Sequence, residues 1–491
     1  MLNGVECIPY RKNREYIRDE MTTVASTDLS LMAHLLRRAG FGSDRTELER
    51  YAARSYEDVV DDLLNPERFS EPEDEILTRF YPHLQANKDN PAVWNGRWFY
   101  RMVNTDRPLE EKMTLFWHSV FATGWTKSEH TPTMVDHIQM LRTNCMANFR
   151  KLLLGISRDP AMIFWLDNNE NHGDAINENY GREILELFSM GIGNYTEDDI
   201  KSAARAFTGW TYDTPVSLYP YGHFDVNYRF RADDHDDGQK TFLGHTGNLD
   251  GEDIINIIAE QEATARFISR HLYNFFVADE AQVPAWSIEP PSDPGAIDDM
   301  VKTWISSNAD MKEVMRTLFN SEWFKAARFK HVKSPTEFVA SVLKLSGEYF
   351  EPAPDLHKLE GTIVTMGQKL MDPPSVEGWH TGKEWIDGGT LTERVNYAID
   401  TLNNPDKPGV KAIIDHVSSQ GNLTSPEHLV DRVLYMVGPL EVEAVTYDTL
   451  VDHAQTEGAL VWSSDADAKT SAARVVQMLT LVVSAREFQF S

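Results

Sequence analysis

The stretch NENYGREILELFSMGIGNYTEDDIKSAARAFTGW, residues 177–210, contains the most informative pattern of the chain. Its apolar residues recur with helical spacing over about 178–190, and the glycines of segment 191–193 then provide a left-handed stop. A second helix is predicted after this stop, because Thr196 and Asp199 form a capping box and small residues suited to close helix packing follow them. The stretch therefore predicts two helices that pack as a pair.

Charged side chains run along the first of these two helices. Glu178, Arg182 and Glu186 are spaced by four residues and form a ladder on one side, and Glu183 precedes Glu186 by one turn. One interpretation is structural: Arg182 and Arg205 bridge carboxylates and hold the helix pair together. The other is functional: Glu183 and Glu186 project into a cavity as metal ligands or acid/base groups, and a histidine from elsewhere completes the site.

The composition excludes several classes of partner. The chain has 491 residues, of which 41% are hydrophobic, enough for a sizeable core. It carries 47 Lys plus Arg against 76 Asp plus Glu, and the resulting net charge of −29 repels phosphate backbones and anionic lipid. We therefore expect no nucleic-acid partner and no membrane-surface partner. Cationic partners or divalent metals fit this charge, and so does simple solubility.

The cysteines and the first residues predict the compartment. Cys7 and Cys145 are the only cysteines, too few for a disulfide framework or a Cys-rich zinc site. The opening MLNGVECIPYRKNREYIRDE lacks the apolar segment of a signal peptide, and no run has the length of a membrane span. The sequence as written is expected to be cytoplasmic, and an upstream leader outside this sequence remains the alternative.

Helical spacing extends over most of the chain, so the predicted fold class is all-α, a large multi-helix body. A passage rich in proline interrupts it and is predicted as an internal linker. The predicted organisation is an N-terminal arm at 1–27, an N-terminal helical region at 28–282, the Pro-rich linker at 283–294 and a C-terminal helical region at 295–491.

One region is predicted to contain strands. Residues 224–230 alternate in character, and 240–243 are the expected pairing partner of this segment. We therefore expect a small β-hairpin-like insertion or lid at about 211–245, directly after the central stretch.

Two histidines are candidate metal ligands. His118, in FWHSVFATG, lies at the end of an aromatic helix, where a hydrogen-bonded core role is the alternative. His235, in DDHDDG, stands among four acids ahead of a glycine, and such oxygen donors can hold a divalent cation. The pattern differs from a calcium loop, so a solvated acidic turn is the alternative there. The sequence thus predicts metal ligands at His118, Glu183, His235 and Asp236, with a divalent metal as the expected cofactor.

Seven segments, taken together and in order, resemble the bacterial family of unknown function numbered 1800 (DUF1800). The resemblance runs from about Leu31 to the SAREFQ segment near the end of the sequence and so covers nearly the whole chain. The segments are HLLRRAGFG (34–42), FWHSVFATG (116–124), the central stretch 177–210, HDDGQKTFLG (235–244), ATARFISRHLYNFFV (263–277), VKSPTEFV (332–339) and MGQKLMDPPSVEGW (366–379).

The resemblance implies a largely helical protein whose relatives are often exported. It also implies a neighbour, since genes of this family often lie beside those of a second family, numbered 1501, that looks like sulfatases and alkaline phosphatases. This chain departs from the family pattern in two ways. It has no visible leader, and it has Ser119-Val120 where many relatives have a polar residue and a second histidine after the Trp-His pair.

Two functions are predicted. The first is a metal- or carboxylate-dependent enzyme, with hydrolysis as the default reaction. Its catalytic residues would be Glu183, Glu186, Arg182 and His118, with Arg182 binding an anionic substrate group and the insertion covering the site. The second is a non-catalytic helical scaffold, or an assembly partner of the co-encoded family-1501 protein. The sequence contains no P-loop, dinucleotide-binding, metalloprotease or serine-hydrolase motif.

Overall fold

Helices account for most of the residues that the computed structural model describes, which are 28–72, 77, 79, 90–213, 226–456 and 458–491. The predicted N-terminal arm, residues 1–27, lies outside the described residues, as do residues 214–225 of the predicted insertion. The helices up to the end of the central stretch are α1 (Leu29–Arg38), α2 (Arg45–Ala52), α3 (Tyr56–Leu64), α4 (Pro91–Asn104), α5 (Pro108–Val120), α6 (Trp125–Ser128), α7 (Thr131–Asn144), α8 (Phe149–Ser157), α9 (Pro160–Trp165), α10 (Asn179–Glu186) and α11 (Glu197–Ala206).

After the insertion the chain is again helical, and the predicted all-α fold class is confirmed. None of the described helices is long and apolar enough to cross a membrane. The helices of this part are α12 (Gly251–Glu260), α13 (Glu262–Phe276), α14 (Pro294–Ser306), α15 (Met311–Asn320), α16 (Glu322–Lys325), α17 (Pro335–Ser346), α18 (Lys358–Thr365), α19 (Gly388–Leu402), α20 (Pro408–Ser418), α21 (Pro426–Met436), α22 (Ala444–Thr456) and α23 (Asp465–Ser484).

Local capping explains where many of these helices begin. The Ser55 hydroxyl accepts a hydrogen bond from the Asp58 backbone N–H and so satisfies one of the free donors at the start of α3. The capping box predicted for α11 is confirmed. The Thr196 hydroxyl accepts from the Asp199 backbone N–H at 3.2 Å, and the Asp199 carboxylate accepts from the Thr196 backbone N–H at 2.9 Å.

The central helix α10 is shorter than predicted, because residues 187–190 form turns instead of continuing it. The Ser189 hydroxyl donates to the Ile184 carbonyl, and this bond competes with regular helical pairing. Gly191 then closes the turn in the left-handed region, with φ of +75°, and its N–H donates to the Leu185 carbonyl at 3.1 Å. The glycine stop is therefore present, but the helix ends before it.

Two antiparallel strand pairs make up the β structure of the described residues. Strand β1 (Trp210–Asp213) pairs with β2 (Asn227–Phe230), and β3 (Lys240–Phe242) pairs with β4 (His245–Gly247). A small β insertion is thus present, but the expected pairing of 240–243 with 224–230 is wrong. The two residues between β3 and β4 have positive φ, +45° and +84°, as in a tight two-residue hairpin turn. Strand β3 therefore pairs with β4, the strand that directly follows it.

One cluster of buried apolar side chains extends from Met32 in α1 to Phe488 after α23 and includes residues on both sides of the Pro-rich passage. This passage packs on α13, where Arg270 donates to the Glu289 carbonyl at 2.8 Å and lies over the Trp286 ring at 4.6 Å. The core therefore continues across the passage, while the division into two helical regions joined by a linker stays a prediction.

Candidate functional site

Amide and hydroxyl groups fix the orientation of α10. The Asn179 side chain donates to the Leu166 carbonyl at 2.9 Å, and the Asn177 side chain accepts from the Asn179 backbone N–H at 3.0 Å. On the buried side, the Tyr180 hydroxyl donates to Ser157 Oγ at 2.6 Å. These bonds hold the apolar side of α10 in the core and leave its charged side partly exposed.

Arg182 is engaged by carboxylates from two elements. Its two Nη atoms donate to the two carboxylate oxygens of Glu197, at 3.1 and 2.9 Å, and Nη2 lies 3.6 Å from Glu178. Because Glu197 lies in the first turn of α11, this pair joins the two helices, as the structural interpretation predicted for Arg182. An anionic group that binds to Arg182 would have to displace Glu197.

Glu183 and Glu186 lie one turn apart on the partly exposed side of α10. The Tyr195 hydroxyl donates to Glu186 Oε2 at 3.2 Å. The Glu183 side chain makes no hydrogen bond or ion pair with the residues that the structure describes. Burial, followed by the negative charge of Glu186, raises the pKa of Glu183 to about 7, and Arg182 opposes this rise only in part. A carboxyl group with this pKa can both donate and accept a proton near neutral pH.

His118 is fully buried near the end of α5. Its Nε2 accepts a hydrogen bond from the Met371 backbone N–H at 3.0 Å, so the lone pair of that nitrogen is not free for a metal ion. The ring packs against Trp379 and His137, with centroid separations of 5.3 and 6.2 Å. Burial, followed by the charge of His137, lowers the pKa of His118 to about 3, so the imidazole is neutral. This is the hydrogen-bonded core position that was the alternative to a metal ligand.

The acidic turn around His235 ties the insertion to the end of α11. His235 Nδ1 donates to the Thr208 carbonyl at 2.9 Å. Arg205 Nε donates to the Asp236 carboxylate at 2.6 Å, and this hydrogen bond lowers the pKa of Asp236 to about 2 against the effect of burial. Arg205 thus bridges to a carboxylate, as predicted, and Asp236 is its partner.

The predicted metal ligands therefore have different neighbours. His118 contacts the Met371 and Trp379 segment, Glu183 lies on the partly exposed side of α10, and the pair His235 and Asp236 contacts the end of α11. Throughout the described ranges, no group of three or more His, Cys, Asp or Glu side chains is placed so that it could hold a metal ion. Glu183 and Glu186 lie one turn apart on α10, and the contacts of His118 and His235 are with other parts of the chain.

A buried polar pair near His118 was not predicted from the sequence. His137 Nδ1 donates to Asp159 Oδ2 at 2.9 Å, and both side chains are buried. Asp159 also accepts from the Ala161 backbone N–H at 2.7 Å and so caps α9. The Asp-Pro start of α9 is visible in the sequence, but a single histidine within an amphipathic helix gives no indication of its partner.

A groove near the C-terminal end of the chain was not predicted either. It has a volume of about 280 Å³ and lies between α20 and α21. Its polar residues occur singly at helical spacing, so the sequence offers no motif there. The lining residues are His416, His428, Asp431, Arg432 and Tyr435.

The fold and the α10 site define a mostly helical protein with a carboxylate pair on a central helix. The sequence profile of one protein family, described as "Protein of unknown function (DUF1800)", matches residues 34–490. The chain therefore belongs to the DUF1800 family, as its motifs predicted. The comparisons with curated proteins and with solved structures found no match.

Proposed function

We propose that the partly exposed side of α10 is the active site of a carboxylate-dependent hydrolase, with Glu183 as its general acid and base. The observation that supports this proposal is the position of the Glu183 carboxyl group, which is partly buried beside a second carboxylate and has no hydrogen-bond partner among the described residues. Burying a carboxyl group without a partner costs free energy, so stability alone disfavours this arrangement. Groups of this kind are common at sites of proton transfer.

Glu186 acts together with Glu183 in this proposal. Its negative charge favours the protonated form of Glu183, and the Tyr195 hydroxyl orients its carboxylate by donating to Oε2. In its protonated form the Glu183 carboxyl group can protonate a leaving group, and in its ionised form it can accept a proton from an attacking water molecule. Hydrolysis is therefore the reaction class that this pair suits best.

The carboxylate-dependent form of the enzyme is better supported than the metal-dependent form. The two glutamates lie on one helix face, whereas the predicted ligand His118 already accepts a hydrogen bond from a backbone N–H at Nε2. Arg182 pairs with Glu197 of α11 and so holds α10 against its neighbouring helix, with the guanidinium on the exposed side of α10. It is a positioning residue in this proposal.

The first test is the titration of Glu183, followed in the full chain by NMR of ¹³C-labelled glutamate carboxyl groups. We expect one carboxyl signal that titrates at about 7 and is absent from Glu183→Gln. In Glu186→Gln its pKa should fall, because a neighbouring negative charge is removed. Asp198→Asn is the matched control, since this side chain is 92% exposed on α11, and it should leave the titration unchanged.

The second test is hydrolysis of nitrophenyl esters and nitrophenyl glycosides. We expect turnover by the wild-type chain and by Asp198→Asn, and a rate lower by roughly 100-fold or more in Glu183→Gln, the usual contribution of a general acid or base. Circular dichroism of each variant shows whether it is folded. A Glu183 carboxyl that titrates near its ordinary value, or a hydrolysis rate unaffected by Glu183→Gln, contradicts the proposal.

A second candidate function is an assembly partner of the co-encoded family-1501 protein. The observation that favours it is a pair of exposed apolar side chains flanking α10: Ile176 is 39% exposed and Ile192 is 51% exposed. Ile192→Asp should then weaken co-sedimentation with the purified family-1501 protein. Ile305→Asp is the control, because Ile305 is 59% exposed on α14. Equal co-sedimentation of both variants and of wild type contradicts this second function.

A further inference from the structure

The groove between α20 and α21 is lined by one arginine and two histidines in an otherwise strongly acidic protein. Arg432 and His428 line it from α21 and His416 lines it from α20, in a chain with a net charge of −29. The Tyr435 ring, which also lines the groove, stacks on His416 with an interplanar angle of 26°. The groove is open to solvent and has a volume of about 280 Å³, slightly below the usual range for small-molecule pockets.

Arg45 of α2 packs on Tyr435, one of the residues that line the groove. Its guanidinium lies over the Tyr435 ring, 3.4 Å from the centroid, and only 9% of its side chain is exposed. Arg45 Nε donates to Glu49 at 2.9 Å, but the buried Nη1 has no hydrogen-bond partner. The buried Nε of Arg432 has none either. Arg432, which lines the groove, and Arg45, which packs on Tyr435 beside it, therefore each have a buried donor that is not used within the described residues.

Each acidic side chain at the groove already has a hydrogen-bond partner within the protein. Asp431 accepts a hydrogen bond from the Tyr447 hydroxyl at 2.8 Å, and Glu49 is paired with Arg45. A buried donor without an acceptor costs free energy, and a guanidinium group is best satisfied by an oxyanion that accepts two parallel hydrogen bonds. Arginine is the side chain best suited to this recognition of phosphate.

We infer that the groove lined by His416, His428, Arg432 and Tyr435 binds a phosphate group, either as inorganic phosphate or as the head of a small organic phosphate monoester. Arg432 donates to the phosphate oxygens, Arg45 adds positive charge beside Tyr435, and the two histidines add further donors. The Tyr435 side chain is 39% exposed, and this exposed part is where the organic part of an ester would make contact. This site is separate from the α10 carboxylates and does not depend on the proposed hydrolase.

Binding to this groove should depend on pH through His416. Burial, followed by the charges of Arg432 and Arg45, lowers the pKa of His416, and Glu49 opposes this effect. The other charged or titratable groups at the groove are His428, Asp431 and Tyr447. A bound phosphate favours the imidazolium form of His416, so binding should raise the pKa of His416.

The test uses the full chain and follows the imidazole NMR signals of His416 and His428 during addition of inorganic phosphate at constant ionic strength. We expect a saturable shift and a rise in the pKa of His416. Arg432→Gln should weaken the affinity by about tenfold or more, because it removes a charge-assisted hydrogen bond. Arg486→Gln is the matched control, since this arginine is 74% exposed and pairs with Glu443 outside the groove. It should bind phosphate as wild type does.

Phenyl phosphate provides the second arm of the experiment. Tighter binding of phenyl phosphate than of inorganic phosphate identifies a monoester ligand, and equal binding identifies the phosphate ion alone. If Arg432→Gln fails to fold, His428→Gln provides the same comparison, because His428 is exposed and its loss does not disturb the core. The absence of a saturable shift, or equal affinities in the groove variant and in Arg486→Gln, overturns the inference.

Discussion

Gly181 of α10 lies against Ala204 of α11 at a distance that leaves no room for a side chain. A Cβ atom placed on Gly181 would come within 2.8 Å of the Ala204 backbone nitrogen and within 3.0 Å of its Cα and Cβ. Both helices belong to the central stretch, so this contact sets the distance between the helix that carries the carboxylate pair and its neighbour. The absence of a side chain at position 181 is what allows this close approach.

Gly181→Ala is therefore expected to destabilise the protein by roughly 1–3 kcal/mol, the usual cost of overpacking, although alanine is the better helix former. Gly361→Ala is the matched control, because Gly361 lies within α18 and a Cβ there would meet nothing within 4 Å. It should stabilise the protein by up to about 1 kcal/mol. Urea unfolding measures both changes. Equal effects of the two substitutions would show that the contact with Ala204 is unimportant.

A buried ionic network around Glu111 joins three helices. Its carboxylate accepts hydrogen bonds from Arg101 Nε at 2.8 Å, from Arg142 Nε at 3.0 Å and from the Trp98 indole N–H at 2.9 Å. Burial opposes ionisation of Glu111, but Arg142 and Arg101 outweigh it and lower the pKa of this group. The carboxylate is therefore ionised and pairs with two arginines inside the core.

Glu111→Gln should destabilise the protein by about 3–5 kcal/mol, because it leaves two buried positive charges without their common partner. The measurement is the urea midpoint at neutral pH. Glu322→Gln removes a surface pair instead, since Glu322 is 88% exposed and lies 3.0 Å from Lys325, and it should leave the midpoint unchanged. A small effect of Glu111→Gln, similar to that of the control, would contradict the role of this network.

The burial of His118 predicts a pH dependence of stability. The pKa of this group is about 3 in the folded chain and 6.5 without the fold, so below 6.5 the unfolded chain binds a proton that the folded chain does not. Stability is consequently lost as the pH falls from 6.5 toward 3. His118→Gln removes this contribution and keeps an oxygen that can accept from the Met371 N–H.

Between pH 3 and pH 6.5, the unfolding free energy of His118→Gln should depend less steeply on pH than that of wild type. The difference in slope should be about 1.4 kcal/mol per pH unit, which corresponds to one proton. Urea unfolding at a series of pH values measures it. His357→Gln is the control, because this imidazole is exposed in both folded and unfolded chains, and its slope should equal that of wild type. An unchanged slope in His118→Gln would mean that His118 is protonated in the core.

Most of the helices, and the family, were predictable from the sequence because both depend on residues close together in the chain. The capping box of Thr196 and Asp199 spans three residues, and the charged side of α10 follows from the helical period. The strand pairing of 240–243 was predicted wrongly because segments of alternating character can pair with any suitable neighbour. The turn that decides their pairing involves a leucine at positive φ, which propensity does not predict.

The sequence by itself determined an all-α chain of the DUF1800 family, with two adjacent glutamates on one face of its central helix, since helical period and capping are local properties. Only the tertiary structure decided which residues contact these glutamates and the histidines. His118 accepts from a backbone N–H that is 253 residues away, Arg182 pairs with the next helix, and an arginine from α2 packs on Tyr435 beside the groove at His416. Such partners depend on how helices distant in the chain pack together, and no local pattern records that packing.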